Sequence, residues 1–206
     1  PRGLGDVYKR QGNINAFSRV YKLLGMPHTF LTRPQDFDDR ISKIILPGVG
    51  SFDHAMKTLN KSGLRDKLNE YVLDHEMPTL GVCVGFQMFC GRSEEGSEQG
   101  LNWIAGEVLK IKEKSLEDFM PLPHMGWNKV DVLRPNDLTN GIDAATGFYF
   151  LHSYQVVTKE DDIVASSQYG DTITSIYQKR NFYGIQPHPE KSHSNGIKFL
   201  ENFGKL

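Results

Sequence analysis

A cysteine between two glycines is the residue of this sequence best suited to covalent chemistry. The stretch Gly81-Val82-Cys83-Val84-Gly85 follows a short apolar run and precedes another. Glycines allow a sharp turn and leave space around the residue between them, as in a nucleophile elbow, where a strand turns into a helix. Since a thiolate is a strong nucleophile, we interpret Cys83 as the attacking group of a covalent mechanism. The pattern alone is equally compatible with a buried core thiol.

A base for such a nucleophile occurs further along the chain. His188 and Glu190 flank Pro189, which restricts the backbone on both sides. A histidine held by a carboxylate is the pair that activates a cysteine or serine nucleophile. Seen alone, the same tripeptide more often forms a polar surface turn.

A glycine-rich loop offers a third group of chemical interest. Gly48-Val49-Gly50-Ser51 follows the apolar residues 44–46, and a helix is predicted from about Asp53. Backbone N–H groups of such a loop can hold a phosphate or the oxyanion of a reaction intermediate. No Gly-Lys-Ser/Thr follows, which argues against a P-loop, and a simple tight turn remains an alternative.

These groups need a sheet to bring them together. Apolar runs near residues 28–32, 43–46 and 78–82 alternate with amphipathic helical patterns over 14–24, 53–59 and 63–75. Strands alternating with helices predict a mostly parallel sheet flanked by helices, with functional groups at the carboxyl ends of the strands. Gln87, one helical turn after Cys83, is then expected to face the same pocket.

The second half of the chain has a different predicted secondary structure, with more strands and fewer helices. Strand-like runs over 148–154, 163–166 and 172–186 predict antiparallel β structure, with a hairpin turning at 179–181. Residues 121–128 are expected to be stiff and irregular, and a last helix is expected from Asn195. The fold class is therefore α/β with a β-rich, antiparallel C-terminal half.

Composition excludes several classes of function. The 206 residues, 38% of them hydrophobic and with a net charge of -1, suit a single globular domain without a basic nucleic-acid footprint. Residues 1–11 are atypical, without a strand or helix period, so we assign the domain to 12–206. No membrane span, secretory signal or zinc-ligand spacing is present, which predicts a cytoplasmic protein without metal or other cofactor.

Together the motifs resemble the class I (triad) glutamine amidotransferases, whose fold is flavodoxin-like. Residues 123–128, 148–154 and 183–192 are similar, more narrowly, to the glutaminase subunits of imidazole glycerol phosphate synthases and their paralogues. The resemblance runs from Gly12 to Phe203. It implies that Cys83 attacks the carboxamide of glutamine to form a thioester, with His188 as acid and base and Glu190 orienting it.

The same resemblance implies the remaining site residues and the partner. Backbone donors for the oxyanion are Val84, Gly48, Val49 and Gly50. Glutamine-binding positions are Gln87, Ser153 and Tyr154. In that family ammonia passes across a heterodimer interface into a (β/α)₈ cyclase of histidine biosynthesis. Positions near this interface or the ammonia passage are Tyr149, His152, Lys191, Met125, Trp127 and Asn128.

Two departures from the family pattern stand out. The usual first strand is replaced by the atypical first eleven residues, so we expect that strand to be missing. Pro187 stands where the family has phenylalanine, and the loss of a backbone donor there is expected to bear on the position of His188.

Three other interpretations stay open at this point. A paralogous subunit would supply ammonia to a sugar amidotransferase of surface-polysaccharide synthesis. A stand-alone cysteine hydrolase would use the same triad without a partner. A non-catalytic scaffold is the third, suggested by the atypical first residues.

Overall fold

The structure, a computed structural model, describes the backbone of residues 3–7 and residues 14–112 and 120–206. The strands within these ranges are β1 (Gly3–Val7), β2 (His28–Leu31), β3 (Ile41–Gly48), β4 (Thr79–Cys83), β5 (Gly106–Lys110), β6 (His124–Asn128), β7 (Asp131–Val132), β8 (Phe148–His152), β9 (Tyr154–Thr158), β10 (Ile163–Tyr169), β11 (Asp171–Lys179) and β12 (Phe182–Ile185). The helices are α1 (Ile14–Leu23), α2 (Phe52–Ser62), α3 (Leu64–Asn69), α4 (Val84–Gln87) and α5 (His193–Lys205).

Eight of the described strands form one mixed sheet in the order β2-β1-β3-β4-β12-β11-β10-β7. The pairs from β2 through β12 are parallel, and those from β12 to β7 are antiparallel. The predicted fold class is thereby confirmed. Two separate ribbons, β5-β9 and β6-β8, lie beside the sheet.

The parallel half is positioned by apolar strands and capped helices. Ile44, Ile45 and Leu80 are fully buried, as expected of strands covered on both faces. Ser51 caps α2 by accepting a hydrogen bond from the backbone N–H of His54, and Gly63 ends α2 in a left-handed conformation. The Ser51 cap therefore fixes where the loop after β3 ends and α2 begins, and Gly63 fixes where α2 ends.

The predicted hairpin near residue 180 is confirmed as the antiparallel pair of β11 and β12. Its second strand, β12, then pairs in parallel with β4, with Ile185 opposite Val82. Because β4 ends at Cys83 and β12 ends at Ile185, the segments that follow both strands emerge at one edge of the sheet.

Two expectations about local structure were wrong. Residues Gly3–Val7 form a strand, β1, which lies between β2 and β3, although their sequence shows no apolar strand pattern. Residues His124–Asn128 form β6 rather than an irregular segment, because β8 supplies a complete antiparallel ladder for them. Asn13, whose side chain is of a type that can cap the helix predicted from residue 14, lies outside the described residues. The assignment of 12–206 as the domain remains a prediction.

Candidate active site

Cys83 is the last residue of β4 and lies at the turn from this strand into α4. Its backbone has φ +53° and ψ −115°, a strained conformation for a residue with a side chain, which typically costs about 1–3 kcal/mol. Gly85 makes this turn possible, because a Cβ there would collide with the carbonyl oxygen of Leu46. The predicted strand-to-helix turn is thus confirmed, with Cys83 at its apex.

The end of β3 lies directly beside this turn. Gly48 pairs with Cys83 in the parallel ladder, and a side chain on Gly48 would meet the backbone of Val84 and Gly85. Val49 and Gly50 line the same cavity as Cys83. The structure therefore brings the glycine-rich loop and the elbow together, as the shared sheet edge predicts.

His188 and Glu190 reach Cys83 from the segment that follows β12. Nδ1 of His188 lies 2.9 Å from Oε1 of Glu190, and the two side chains are only 3% and 2% exposed. Burial alone would lower the pKa of His188, but the charge of Cys83 and the hydrogen bonds with Cys83 and Glu190 raise it well above its usual range. The three groups form a Cys-His-Glu constellation.

Pro187 leaves this arrangement in place. The backbone N–H of His188 donates to the carbonyl of Tyr149 at 2.8 Å. Ser192 Oγ donates to the carbonyl of His188 at 2.6 Å and accepts from the N–H of Tyr149 at 3.0 Å. These bonds attach the His188 segment to β8, so its position does not depend on a donor at residue 187.

A cavity of about 330 Å³ opens above Cys83. Its lining residues are Val49, Gly50, Cys83, Val84, Gln87, Glu95, Pro123, Leu151, His152, Ser153, Tyr154, His188 and Lys191. Another cavity, of about 400 Å³ beside β2, has no cysteine in its lining, and its Arg40 is already paired with Asp38. Of these two cavities, the one above Cys83 is lined by both a nucleophile and a base.

The side chain of Gln87, on one wall of this cavity, is oriented by a hydrogen bond to the backbone carbonyl of Tyr154. Gln87 Nε2 lies 3.0 Å from this oxygen and 3.2 Å from Oε1 of Gln186. Both amide hydrogens of Gln87 therefore have acceptors within the protein. Its Oε1 is then the atom of this side chain suited to a bound molecule.

A pair of buried histidines supports the same wall. His152 Nδ1 lies 2.9 Å from the carbonyl of Tyr154, and His152 Nε2 lies 3.1 Å from Nδ1 of His124. Since a carbonyl can only accept, Nδ1 of His152 carries its proton and Nε2 accepts from His124. Burial lowers the pKa of His124 to about 4 and that of His152 to about 3. Both rings are therefore neutral near pH 7.

The remaining predicted positions lie on the rim or outside it. Met125 and Trp127 are 65% and 46% exposed, and Trp127 stacks on His193 with a ring distance of 5.2 Å. Lys191 Nζ lies 5.6 Å from the centre of the Tyr149 ring, at the mouth of the cavity. Asn128 donates to the carbonyl of Gln168 at 2.9 Å, outside the cavity.

Sequence reasoning missed three residues of the site. Glu95 lines the cavity and accepts from the backbone N–H of Phe52 at 2.7 Å; it lies in a loop that reads as merely acidic and polar. Gln186 reads as an ordinary strand residue, and His124 as part of an irregular stretch. Their partners lie on distant segments of the chain, such as Phe52 of α2 for Glu95 and Gln87 of α4 for Gln186, so no local pattern reveals them.

The second cysteine behaves as expected of a core residue. Cys90 is fully buried, and burial together with the charge of Glu107 raises the pKa of its thiol to about 12. Within 14–112 and 120–206, no group of three His, Cys, Asp or Glu side chains is arranged to hold a metal ion. None of the helices described is both long and apolar enough to span a bilayer.

The fold and the site together define a class of protein. A model of the family "Glutamine amidotransferase class-I" matches residues 6–205, and the chain belongs to this family. A crystal structure of a glutamine amidotransferase superposes with a TM-score of 0.72 at 15% identity, covering 99% of this chain and 100% of that chain.

Sequence relatives narrow the comparison. The Imidazole glycerol phosphate synthase subunit HisH of Leptospira interrogans is 42% identical over 196 residues, which cover 95% of this chain and 96% of that protein. The subunit of the same name from Bdellovibrio bacteriovorus is also 42% identical over 196 residues, with the same coverage.

Proposed function

We propose that this protein is the glutaminase subunit of an imidazole glycerol phosphate synthase and acts in histidine biosynthesis. The observation that supports this most directly is a buried His188–Glu190 pair facing a strained Cys83 at the floor of a cavity. The similarity to subunits of that synthase, 42% identity over 95% of this chain, supports the same assignment.

In the first half of the proposed reaction, Cys83 gives its proton to His188 and attacks the side-chain carbonyl carbon of glutamine. The C–N bond then breaks, and His188 protonates the leaving group, which departs as ammonia. A glutamyl thioester remains on Cys83. Glu190 keeps Nδ1 of His188 protonated, so that Nε2 faces the sulfur.

In the second half, a water molecule attacks the thioester. His188 takes a proton from this water and passes it to sulfur as the C–S bond breaks, which releases glutamate and restores the thiol. The negative charge on oxygen in each tetrahedral intermediate is stabilised by backbone N–H groups of Val84 and of the loop Gly48-Val49-Gly50. These groups are fixed before the reaction, which makes them effective.

Recognition of glutamine follows from the charges and acceptors of the cavity wall. Glu95 is the acidic side chain in the cavity lining, and we propose that it binds the α-ammonium group of glutamine. Ser153 and Tyr154 supply main-chain groups, and Gln87 Oε1 accepts a hydrogen bond. Leu151 and Pro123 add apolar surface to the cavity lining.

The second part of the proposal concerns the partner, a (β/α)₈ cyclase that receives the ammonia. The exposed apolar side chains Met125 and Trp127 lie on β6 opposite Leu151 and Tyr149 of β8, and Leu151, the exposed Val49 and Lys191 line the cavity. Exposed apolar groups that adjoin a polar rim are typical of protein interfaces. Docking there would cover the cavity and let ammonia leave without entering bulk water.

The test is reconstitution with a purified cyclase subunit of imidazole glycerol phosphate synthase. We expect glutamate release and imidazole glycerol phosphate formation in equal amounts, and loss of both in Cys83→Ser. Cys90→Ser is the matched control and should keep both activities. Coupling only to a sugar amidotransferase would favour the paralogous function, and full glutaminase activity unaffected by any partner would favour a stand-alone hydrolase.

A further inference from the structure

Gln186 is a fully buried amide next to the sulfur of Cys83. Its Nε2 lies 3.7 Å from Cys83 Sγ, within the range of a hydrogen bond to sulfur. Its Oε1 lies 3.2 Å from Nε2 of Gln87. The backbone N–H of Gln186 donates to the carbonyl of Ser175 at 2.9 Å, which fixes the residue beyond the end of β12.

The orientation of this amide follows from a main-chain group. The carbonyl of Tyr154 can only accept, so the atom of Gln87 that faces it must be the nitrogen. That same nitrogen faces Gln186, so the facing atom of Gln186 must be its oxygen. The nitrogen of Gln186 is thereby directed at Cys83.

The thiol and the thiolate have different partners in this environment. The carbonyl of Leu151 lies 3.9 Å from Cys83 Sγ and can accept only from a protonated sulfur. An N–H of Gln186 can donate to either form, but its bond to a charged sulfur is the stronger. Gln186 therefore favours the ionised state of Cys83.

We propose that Gln186 is a catalytic residue that stabilises the Cys83 thiolate, and that Gln87 and the Tyr154 carbonyl orient it for this role. The inference rests on the proposed function, in which Cys83 is the nucleophile. The proton leaves sulfur for His188, and the negative charge that remains on sulfur receives the N–H of Gln186. No other reactant is required.

The test is the pH dependence of Cys83 alkylation by iodoacetamide, with Gln186→Met as the variant that keeps length but lacks a donor. Titratable groups that line the cavity with Cys83 are His188 after β12, His152 on β8, Glu95 in the 91–105 loop and Lys191 at the rim, and Glu190 contacts His188 from behind. All are retained in the variant. Gln178→Met on β11 is the matched control, because it loses a hydrogen bond to Asn136 far from the cavity.

We expect the alkylation rate of Gln186→Met at pH 7 to fall about tenfold, about 1.4 kcal/mol, and its midpoint to move to higher pH. Gln178→Met should match the unchanged protein. In glutamine hydrolysis with the partner, kcat should fall by a similar factor, with a smaller change in KM. An unchanged alkylation midpoint in Gln186→Met would overturn the proposal, whatever happens to KM or stability.

A second variant tests the sign of the effect on the sulfur. Gln186→Glu keeps the acceptor for Gln87 but presents a carboxylate to the sulfur, so alkylation should be slower still. If it reacts as fast as the unchanged protein, the inference fails. Peptide mass mapping shows whether Cys83 is the alkylated residue. If Cys83 of the unchanged protein is not alkylated at all, both the proposed function and this inference fail. If Cys83 is reactive but substitutions at residue 186 have no effect, the inference alone fails.

Discussion

Oε1 of Glu190 lies 2.9 Å from Nδ1 of His188, and water is almost completely excluded from both side chains. The second carboxylate oxygen, Oε2, has no hydrogen-bond partner among the described residues. Within the part of the chain that the structure describes, Nδ1 of His188 is therefore the hydrogen-bond partner seen for this carboxylate. This fixes the tautomer of His188 and leaves Nε2 for Cys83.

Glu190→Gln should lower kcat for glutamine hydrolysis about 10²–10⁴-fold, because the amide retains an acceptor for Nδ1 but loses the charge that stabilises the imidazolium. The measurement is glutamate release by the complex with the cyclase partner. Glu160→Gln, an exposed residue, is the control. A Glu190→Gln enzyme with unchanged kcat and intact fold would show that Glu190 is not part of the mechanism.

Stability should fall with acid because of His124 and His152. Their folded pKa values, about 4 and about 3, lie below the ordinary 6.5, so below pH 6.5 the unfolded chain takes up protons that the folded chain does not. Each histidine then costs about 1.4 kcal/mol per pH unit until the pH approaches its folded pKa. Above pH 6.5 neither contributes to the slope.

His124→Gln should therefore reduce this acid slope by about one proton, while keeping an amide beside His152. Urea unfolding at pH 7, 6 and 5 measures the slope directly. The exposed His54→Gln serves as a control and should resemble the unchanged protein. An identical slope in His124→Gln and His54→Gln would refute the neutral, buried state of His124.

Gly85→Ala should lower the free energy of unfolding by about 3 kcal/mol, because the added methyl would collide with the Leu46 carbonyl and force α4 away from β3. Gly25→Ala is the informative comparison, since Gly25 has φ +66° but open space around it. Only left-handed strain, about 1 kcal/mol, is expected there. Urea unfolding compares the two; equal losses would argue against the close contact at the elbow.

Trp127→Ala should weaken binding of the cyclase about 30-fold or more, because exposed aromatic residues at interfaces often contribute about 2 kcal/mol. Calorimetric titration of the two subunits measures the affinity. Leu23→Ala, 73% exposed on α1, controls for the loss of any surface apolar group. Similar affinities for both variants would place the interface elsewhere.

The chemistry of the site was predictable to the extent that it is local. Cys83 between two glycines, the Gly48–Ser51 loop and the His188–Glu190 pair could be recognised because each needs only a few adjacent residues. Their meeting at one sheet edge also followed, since parallel strands place their carboxyl ends together. The sheet order and the hairpin into β12 confirm this reasoning.

Gly3–Val7 and His124–Asn128 show where such reasoning stops. Gly3–Val7 has no apolar alternation of its own, and His124–Asn128 alternates only briefly, at Met125 and Trp127, after a proline-containing stretch. The first segment becomes a strand because β2 and β3 pair with it, and the second because β8 pairs with it. The same holds for Gln186, whose sequence context is that of any strand end. Its role emerges only when Gln87, Tyr154 and Cys83 lie beside it.

By itself the sequence indicated a candidate nucleophile and a candidate base and predicted the parallel scaffold, because turn chemistry and hydrophobic period are properties of short segments. The tertiary structure decided which amide faces the sulfur, which histidines are neutral and that Pro187 leaves His188 in place. Those outcomes depend on distances between residues up to about a hundred positions apart, such as Cys83 and Gln186, and on the exclusion of water around them. No local sequence pattern predicts these distances or the exclusion of water.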